Sequence, residues 1–283
     1  MSPLVTLISP VYNSMPYLQD FLTCLEKQTW RPLEIILVDD GSSDHSRNCL
    51  QENKARLEAA GIAVELVFRP HQGQAAAFNA ALPLVNGEFL TWCDSDDLMS
   101  DDSVEKKARW LMEHPQIGMV RSNGIVLNAD TNEELAESAR ETDRYTKDIF
   151  EELFLDQCYC YAGCYMIRTD LFFICYPQKQ IPVSPEGQNL QLLLPAASRS
   201  KCGYLSEKLH TYCRRNSGHS SIPRSYQENL QRIKNFTSLK LAILEYCDCD
   251  QAYFKQLAVK QEESKCKMLL HSAVQRARME IKK

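Results

Sequence analysis

No run of apolar residues in this chain approaches the roughly 18 to 20 needed to cross a bilayer. The opening residues, MSPLVTLISPVYN, lack the basic flank and small-residue cleavage site of a signal peptide. The expectation is a cytoplasmic protein. Excess positive charge is also missing: 32 Lys and Arg against 37 Asp and Glu leave −5. That balance argues against a protein whose main task is gripping nucleic-acid phosphates, so nucleic acid is not an expected partner. Cysteine is plentiful, with twelve residues, but the spacings (158, 160, 164; 247, 249) contain no CxxC pair and no zinc knuckle. Cys93, at the end of the apolar run FLTWC, reads as a small hydrophobe, and a disulfide framework does not suit a reducing compartment. Neither GxGxxG nor GxxxxGKS occurs, which removes the two commonest phosphate-binding loops. A phosphatase of the DxD type would carry its Asp pair on the first strand, where this chain has Ser9 and Pro10. There are no internal repeats and no low-complexity segments.

What is present is an ordinary globular composition, 44% hydrophobic and 24% charged over 283 residues, enough for one large α/β domain or two small ones. Short β-branched or apolar runs at 4–8, 34–38, 64–68 and 89–93 alternate with helical patterns at 17–25, 43–60 and 74–84. This is the pattern of βαβ units on a mainly parallel sheet, a nucleotide-binding type of half-fold. After residue 103 a helix to about 114 precedes strand-like runs at 118–127 and 159–167, separated by a polar stretch at 129–145. A mixed-sheet second half facing an acceptor molecule is expected there. From residue 225 the pattern is helical, with Leu230, Ile233, Leu241 and Leu244 in register. The expected division is therefore 1–224 as one α/β domain, with 1–102 as donor half and 103–224 as acceptor half, followed by a helical region over 225–283. That last region carries 11 Lys and Arg against 7 Asp and Glu, whereas residues 1–224 carry 21 against 30. A basic helical tail either lies on an anionic membrane, here the inner face, or presents a solvated face.

The sharpest chemical feature is Asp94-Ser95-Asp96-Asp97, with Asp101 and Asp102 close behind, directly after the run 89–93. Carboxylates this dense repel one another, and at the carboxyl end of a strand in an open α/β sheet, where ligands bind, a divalent cation is the simplest relief. In an extended stretch Asp94 and Asp96 point the same way, about 7 Å apart, so that one can face a ribose and the other a metal. Mg²⁺ or Mn²⁺ takes one or two carboxylates plus substrate phosphate oxygens. The competing reading is a solvated loop capping the next helix. A second acidic site, Asp39-Asp40-Gly41-Ser42-Ser43-Asp44, follows the run 34–38. It suits either hydrogen bonding to a base or ribose, or an ordinary strand–turn–helix junction. Ser9-Pro10-Val11-Tyr12-Asn13 brings a third strand end to the same edge.

Together these segments resemble glycosyltransferase family 2, inverting nucleotide-sugar-dependent enzymes of the GT-A fold: LISPVYN, EIILVDDGSSD, HQGQAAAFNAAL followed by NGEF, and WCDSDDL stand in the family's order and spacing. The resemblance implies a Rossmann-like nucleotide-binding half with a mixed central sheet, plus a C-terminal helical appendage. It implies a UDP-sugar or similar donor, Mn²⁺ or Mg²⁺, and a glycan or lipid-linked acceptor in cell-surface polysaccharide or glycoconjugate synthesis. Pro10, Tyr12 and Asp40 are then expected near the base and Asp94 near the ribose, with Asn13 and Ser95 also among the nucleotide-binding residues. Arg69 and the 71–79 segment, including Gln74 and Asn79, flank the nucleotide, and Asp96 binds the metal.

The second half departs from that pattern. Where the family carries a Glu-Asp pair ahead of a Leu-rich helix, one member being the general base, this chain has Gln188 and Asn189. Amides cannot take a proton at neutral pH. Glu186 is the nearest carboxylate, a general base or a capping residue, and Asn189 is the other catalytic candidate, orienting the acceptor. A protein that binds nucleotide sugar without turnover is the alternative. Further on, Tyr212, Arg214, Arg215 and the 216–221 run resemble the family's diphosphate segment. Asn216 takes a His position there, and His219, three residues later, is either a metal ligand or an exposed residue.

Overall fold

The computed structural model describes residues 2–15, 17–215 and 222–281, the side chains of 276–281 excepted. In chain order the elements are β1 (Val5–Val11), α1 (Leu18–Glu26), β2 (Leu33–Asp39), α2 (Ser46–Ala59), β3 (Ile62–Phe68), α3 (Gln74–Ala81), β4 (Phe89–Trp92), β5 (Leu98–Met99), α4 (Ser103–Glu113), β6 (Met119–Asn128), β7 (Glu133–Glu137), α5 (Phe150–Phe154), β8 (Tyr165–Arg168), α6 (Thr169–Cys175), α7 (Asn189–Ala197), β9 (Cys202–Arg214), α8 (Tyr226–Leu244) and α9 (Gln251–Ile281). They form one mixed sheet in the order β3-β2-β1-β4-β8-β6-β9-β5, with β7 on β6.

The first four strands of that order are mutually parallel, and β8 turns the direction by pairing antiparallel with both β4 and β6. β1 is buried along its whole length because helices cover both faces of the sheet. Its pleat divides the core: Leu7 faces α1, α2 and α4 through Phe21, Leu50 and Leu111, while Ile8 faces α3, α7 and α8 through Phe78, Leu193 and Ile243. Because β1 lies between β2 and β4, the carboxyl ends of these three strands open on one crevice, the place where ligands bind in open α/β sheets. The NGEF segment has a structural reason. Gly87 N donates to Thr6 Oγ1 at 2.9 Å, and a Cβ on Gly87 would stand 2.5 Å from the Thr6 amide nitrogen.

The expected elements are present with shifted bounds. The first strand runs on through Ser9-Pro10-Val11, and the third helix ends at Ala81 in a short 3₁₀ turn. The 159–167 run is strand only from Tyr165, and the polar stretch at 129–145 holds the exposed strand β7. The 13-residue β9 had no place in the sequence reading. Its middle residues Ser206–Lys208 are exposed, which breaks the apolar alternation that marks a strand.

All twelve cysteines are free, and among the described residues no helix is long and apolar enough to cross a membrane. The long C-terminal helices dock through an ion-paired hub. Lys240 of α8 contacts Asp156 at 2.9 and 3.0 Å and Gln261 of α9 at 2.8 Å. A second buried lysine, Lys107 of α4, donates to the Gly163 carbonyl, and burial lowers its pKa from 10.5 to about 8.

That lowered pKa makes stability pH-dependent. Below pH 8 the folded chain carries a buried ammonium that the unfolded chain hydrates freely, so the charge costs stability. Between the folded and unfolded values the unfolded chain holds the extra proton, and the cost is relieved as pH rises. A Lys107→Met variant lacks this term. Its stability relative to the parent is expected to fall by about 3 kcal/mol between pH 7 and the unfolded lysine range, read from urea unfolding of both proteins at a series of pH values. A pH-independent difference would contradict the assignment.

Candidate functional site

At the ends of β1 and β2 the backbone approaches itself closely. Gly41 sits at φ +76°, and a Cβ there would lie 2.6 Å from the His71 amide nitrogen, so this position of the DDGSSD segment demands glycine. Asp40, buried, gathers the 69–73 loop: Gly73 N donates to its Oδ2 at 2.7 Å, Gln72 N to both oxygens at 3.2 Å, and Arg69 and His71 pair with it at 3.2 and 2.8 Å. The carboxylate's roughly four lone-pair sites are thereby filled. Tyr12 lies on His71 with ring centroids 3.9 Å apart and an interplanar angle of 16°, both rings half open to solvent. Asn13, at φ 49°, accepts the Ser43 amide at 2.8 Å through Oδ1, which ties the end of β1 to the loop after β2. Pro10 stays inside β1, opposite Val38. Gln74, the first residue of α3, is exposed. The Asn79 amide is committed elsewhere: it both donates to and accepts from the Ile181 backbone, at 3.0 and 2.7 Å.

After β4 the chain turns, with Asp97 N donating to the Asp94 carbonyl at 3.1 Å. Ser95 is buried, 2.7 Å from Ser14 Oγ, which fastens this turn to the end of β1. The three aspartates have distinct surroundings. Asp94 Oδ1 accepts from Gln188 Nε2 at 3.2 Å. Asp96 is half exposed and meets Arg215 Nη1 at 3.1 Å. Asp97 is buried, accepts the Cys213 amide at 2.9 Å and lies 3.3 Å from His210 Nε2. Burial raises the Asp94 and Asp97 carboxyls well above the usual carboxylate range, and neighbouring aspartate charges add to the effect.

An oxygen-rich turn with one open carboxylate suits a hard divalent cation. The guanidinium of Arg215 on Asp96 shows that the open carboxylate already attracts positive charge. Asp96, with Asp94 behind it, therefore fits Mg²⁺ or Mn²⁺ by donor chemistry. His219, the other expected metal ligand, lies outside the described residues, as does Asn216. Elsewhere, Asp143, Glu152 and Cys158 come together. Their charges are already met by Arg140 at 3.0 Å from Asp143 and Lys147 at 2.7 Å from Glu152, with Arg121 on Cys158 at 2.6 Å.

The segment before α7 closes the crevice. Gln188 is buried against Asp94, and Asn189 Oδ1 accepts from the Trp92 indole at 2.8 Å. Glu186 pairs with Arg232 of α8 at 2.9 Å, its side chain 12% exposed. Several participants carried no signal in the sequence. Ser14, His210 and Arg232 are ordinary residues in ordinary segments, and only folding sets them beside Ser95, Asp97 and Glu186 respectively. Arg215 was marked by its neighbourhood, though not its bond to Asp96 or the placement of its guanidinium 3.6 Å from the Tyr17 ring centre.

The whole architecture has solved counterparts. Staphylococcus aureus TarS in complex with UDP-GlcNAc superposes with a TM-score of 0.65 at 18% identity, covering 91% of this chain and 71% of that one. The mannosyltransferase PcManGT of Pyrobaculum calidifontis, in complex with GDP-Man and Mn²⁺, gives 0.60 at 17%, over 97% and 76%. The fold is thus GT-A, a mixed sheet with helices on both faces and the helical pair α8–α9 appended. Residues 6–173, more than half of the chain, match the family Glycosyl transferase family 2, and the chain belongs to it. An uncharacterized glycosyltransferase of Haemophilus influenzae is 38% identical over 118 residues, 40% of this chain and 44% of that protein. The chondroitin synthase of Pasteurella multocida is 28% identical over 128 residues, 45% of this chain and 13% of that protein. The chain thus spans less than half the length of these curated relatives.

Proposed function

We propose that this chain transfers a sugar with inversion from a nucleoside diphosphate sugar, a UDP-sugar, to an acceptor hydroxyl in cell-surface polysaccharide or glycoconjugate synthesis, with Mn²⁺ or Mg²⁺ at the diphosphate. The observation that carries the reading is the convergence of the ends of β1, β2 and β4, with the Tyr12–His71 stack on one side and the Asp94–Asp97 turn on the other. Residues 1–102 form the donor half in this reading and 103–224 the acceptor half, on a glycan or lipid-linked acceptor.

The nucleobase lies by the Tyr12 ring, and its imide N–H is received by Asp40. Because that carboxylate is already filled, the imide displaces His71, whose half-exposed side chain gives up its contact with Asp40 and its stack on Tyr12 to make room. Asp94 and Ser95 stand near the ribose, and Arg69 flanks the nucleotide. Asp96, with Asp94, would hold the cation, which when bound neutralises the charge of the departing diphosphate. Arg215, released from Asp96, turns its guanidinium to the same phosphates. Glu186 takes the proton of the attacking hydroxyl, and Asn189 orients that hydroxyl with its amide.

A second reading, binding without turnover, is favoured by one observation: the two side chains nearest Asp94 and Trp92 in this segment are amides. One experiment separates the two readings and tests the base. Nucleotide affinities are measured first, then release of UDP from UDP-sugars in the presence of Mn²⁺ and candidate acceptors. UDP is expected to bind more tightly than ADP by roughly tenfold or more, since adenine offers no imide donor to Asp40, and UDP release is expected to depend on acceptor. Equal affinity for UDP and ADP would overturn the assignment of Asp40, and tight binding with no release under any acceptor would leave the binding-only reading standing.

A further inference from the structure

The 94–97 turn is held from two sides. On one, Ser95 is fastened to Ser14 at the end of β1, their hydroxyls 2.7 Å apart. On the other, β9 supplies both partners of Asp97: the Cys213 amide donates to Oδ1 at 2.9 Å, and His210 Nε2 lies 3.3 Å from Oδ2. With its side chain 2% exposed and both oxygens turned to β9, Asp97 is not placed to meet a cation, whereas Asp96, one residue earlier, is half exposed.

The His210 imidazole is fully buried, in a seat that Gly163 leaves open. A Cβ at position 163 would stand 2.4 Å from His210 Cδ2. Gly163 is itself tied to the strand end that carries the turn, its amide donating to the Trp92 carbonyl at 2.6 Å while its carbonyl accepts from Lys107. Neither ring nitrogen of His210 has a hydrogen-bond partner among the described residues. Burying such groups costs free energy, and a leucine would fill the same space without that cost, so packing gives no reason for an imidazole here. The reason is Asp97 Oδ2, which lies within reach of Nε2 and needs a small rotation of either side chain to align with it.

We infer that His210 is a positioning residue for the cation site: through Asp97 it fixes the turn, and with it the direction of the Asp96 carboxylate. Without that contact Asp97 keeps the Cys213 amide alone, a single bond about which the carboxyl can swing, and a metal ligand must be held to within about 0.5 Å and 10–20° to work. The inference rests on Asp96 being the cation ligand, and His210 touches neither cation nor nucleotide.

The test is titration of Mn²⁺ into protein and UDP, with UDP affinity in EDTA measured beside it. His210→Leu is expected to raise the Mn²⁺ concentration for half-maximal UDP binding roughly tenfold or more, the usual effect of losing a group that orients a metal ligand, and to leave UDP affinity in EDTA unchanged. His210→Gln, whose amide reaches the place of Nε2, should return the requirement to within several-fold of the parent. Leu and Gln fill the seat beside Gly163 about equally, so a merely structural role would weaken both alike. Asp97→Asn keeps an acceptor for the Cys213 amide and carries the test if the leucine variant does not fold: it should raise the Mn²⁺ requirement roughly tenfold, where Asp96→Asn abolishes the dependence. A parental Mn²⁺ requirement in His210→Leu or Asp97→Asn, equal losses in His210→Leu and His210→Gln, or a loss in Asp97→Asn as complete as in Asp96→Asn would each overturn the inference while leaving the cation site standing. A parent that binds UDP equally in Mn²⁺ and in EDTA would overturn the cation site itself, and this inference with it.

Discussion

Asp96→Asn is expected to abolish cation-dependent binding of UDP and to lower sugar transfer roughly 100-fold or more, the equivalent of about 3 kcal/mol of transition-state stabilisation. The fold should survive the change. The Asp96 side chain is half exposed and stands among carboxylates that repel it, so the substitution removes a repulsive charge and leaves no buried group unpaired. Arg215 loses its carboxylate partner but keeps the Asp96 carbonyl at 2.9 Å, the Cys213 carbonyl at 3.1 Å and the Tyr17 ring. Calorimetric titration of UDP with Mn²⁺ and with EDTA reads the effect directly. Parent protein that binds UDP equally in EDTA would show that the diphosphate is held without a cation, with Arg215 as the obvious substitute. Asp94→Asn differs in kind: it disturbs the contact with Gln188, so a lost affinity there would not separate ligand binding from local structure.

The sequence made the side of the crevice formed by the ends of β1, β2 and β4 readable because its chemistry lies in contiguous segments. Asp40-Gly41 and Asp94-Ser95-Asp96 stand at strand ends, and the apolar runs before them are long enough to be recognised as strands. Even there, roles inside the segments needed coordinates. Asn13 and Asn79 look like ligand-binding amides in a string of letters, yet one closes the loop after β2 and the other ties down Ile181 across 102 residues. The other side of the crevice was hardly legible. Its residues come from the loop before α7, from β9 and from α8, and their relation depends on antiparallel and parallel pairings of β6, β8 and β9 that no local pattern announces. β9 in particular has exposed charges mid-strand because it lies near the sheet's edge, with only the two-residue β5 beyond it. The same lack of local signal hid Arg232, a basic residue on a helix face until folding sets it against Glu186.

That ion pair makes Glu186 the most instructive position to change. An inverting transfer needs a proton acceptor within about 3 Å of the attacking hydroxyl, and in the stretch before α7 only Glu186 can ionise usefully, since Gln188 and Asn189 are amides. Arg232 at 2.9 Å also offers the carboxylate a purely structural occupation, fastening the segment to α8. Two variants tell these roles apart. Glu186→Gln removes the charge while keeping shape, and is expected to cost roughly 100-fold or more in turnover with donor affinity nearly unchanged. Arg232→Met keeps the carboxylate and removes its tether; if Glu186 is the base, this variant should retain turnover to within several-fold. Equal losses in the two variants would mean that the tether, not the proton acceptor, is what transfer requires, and the base would then have to be sought among the carboxylates of the Asp94–Asp97 turn.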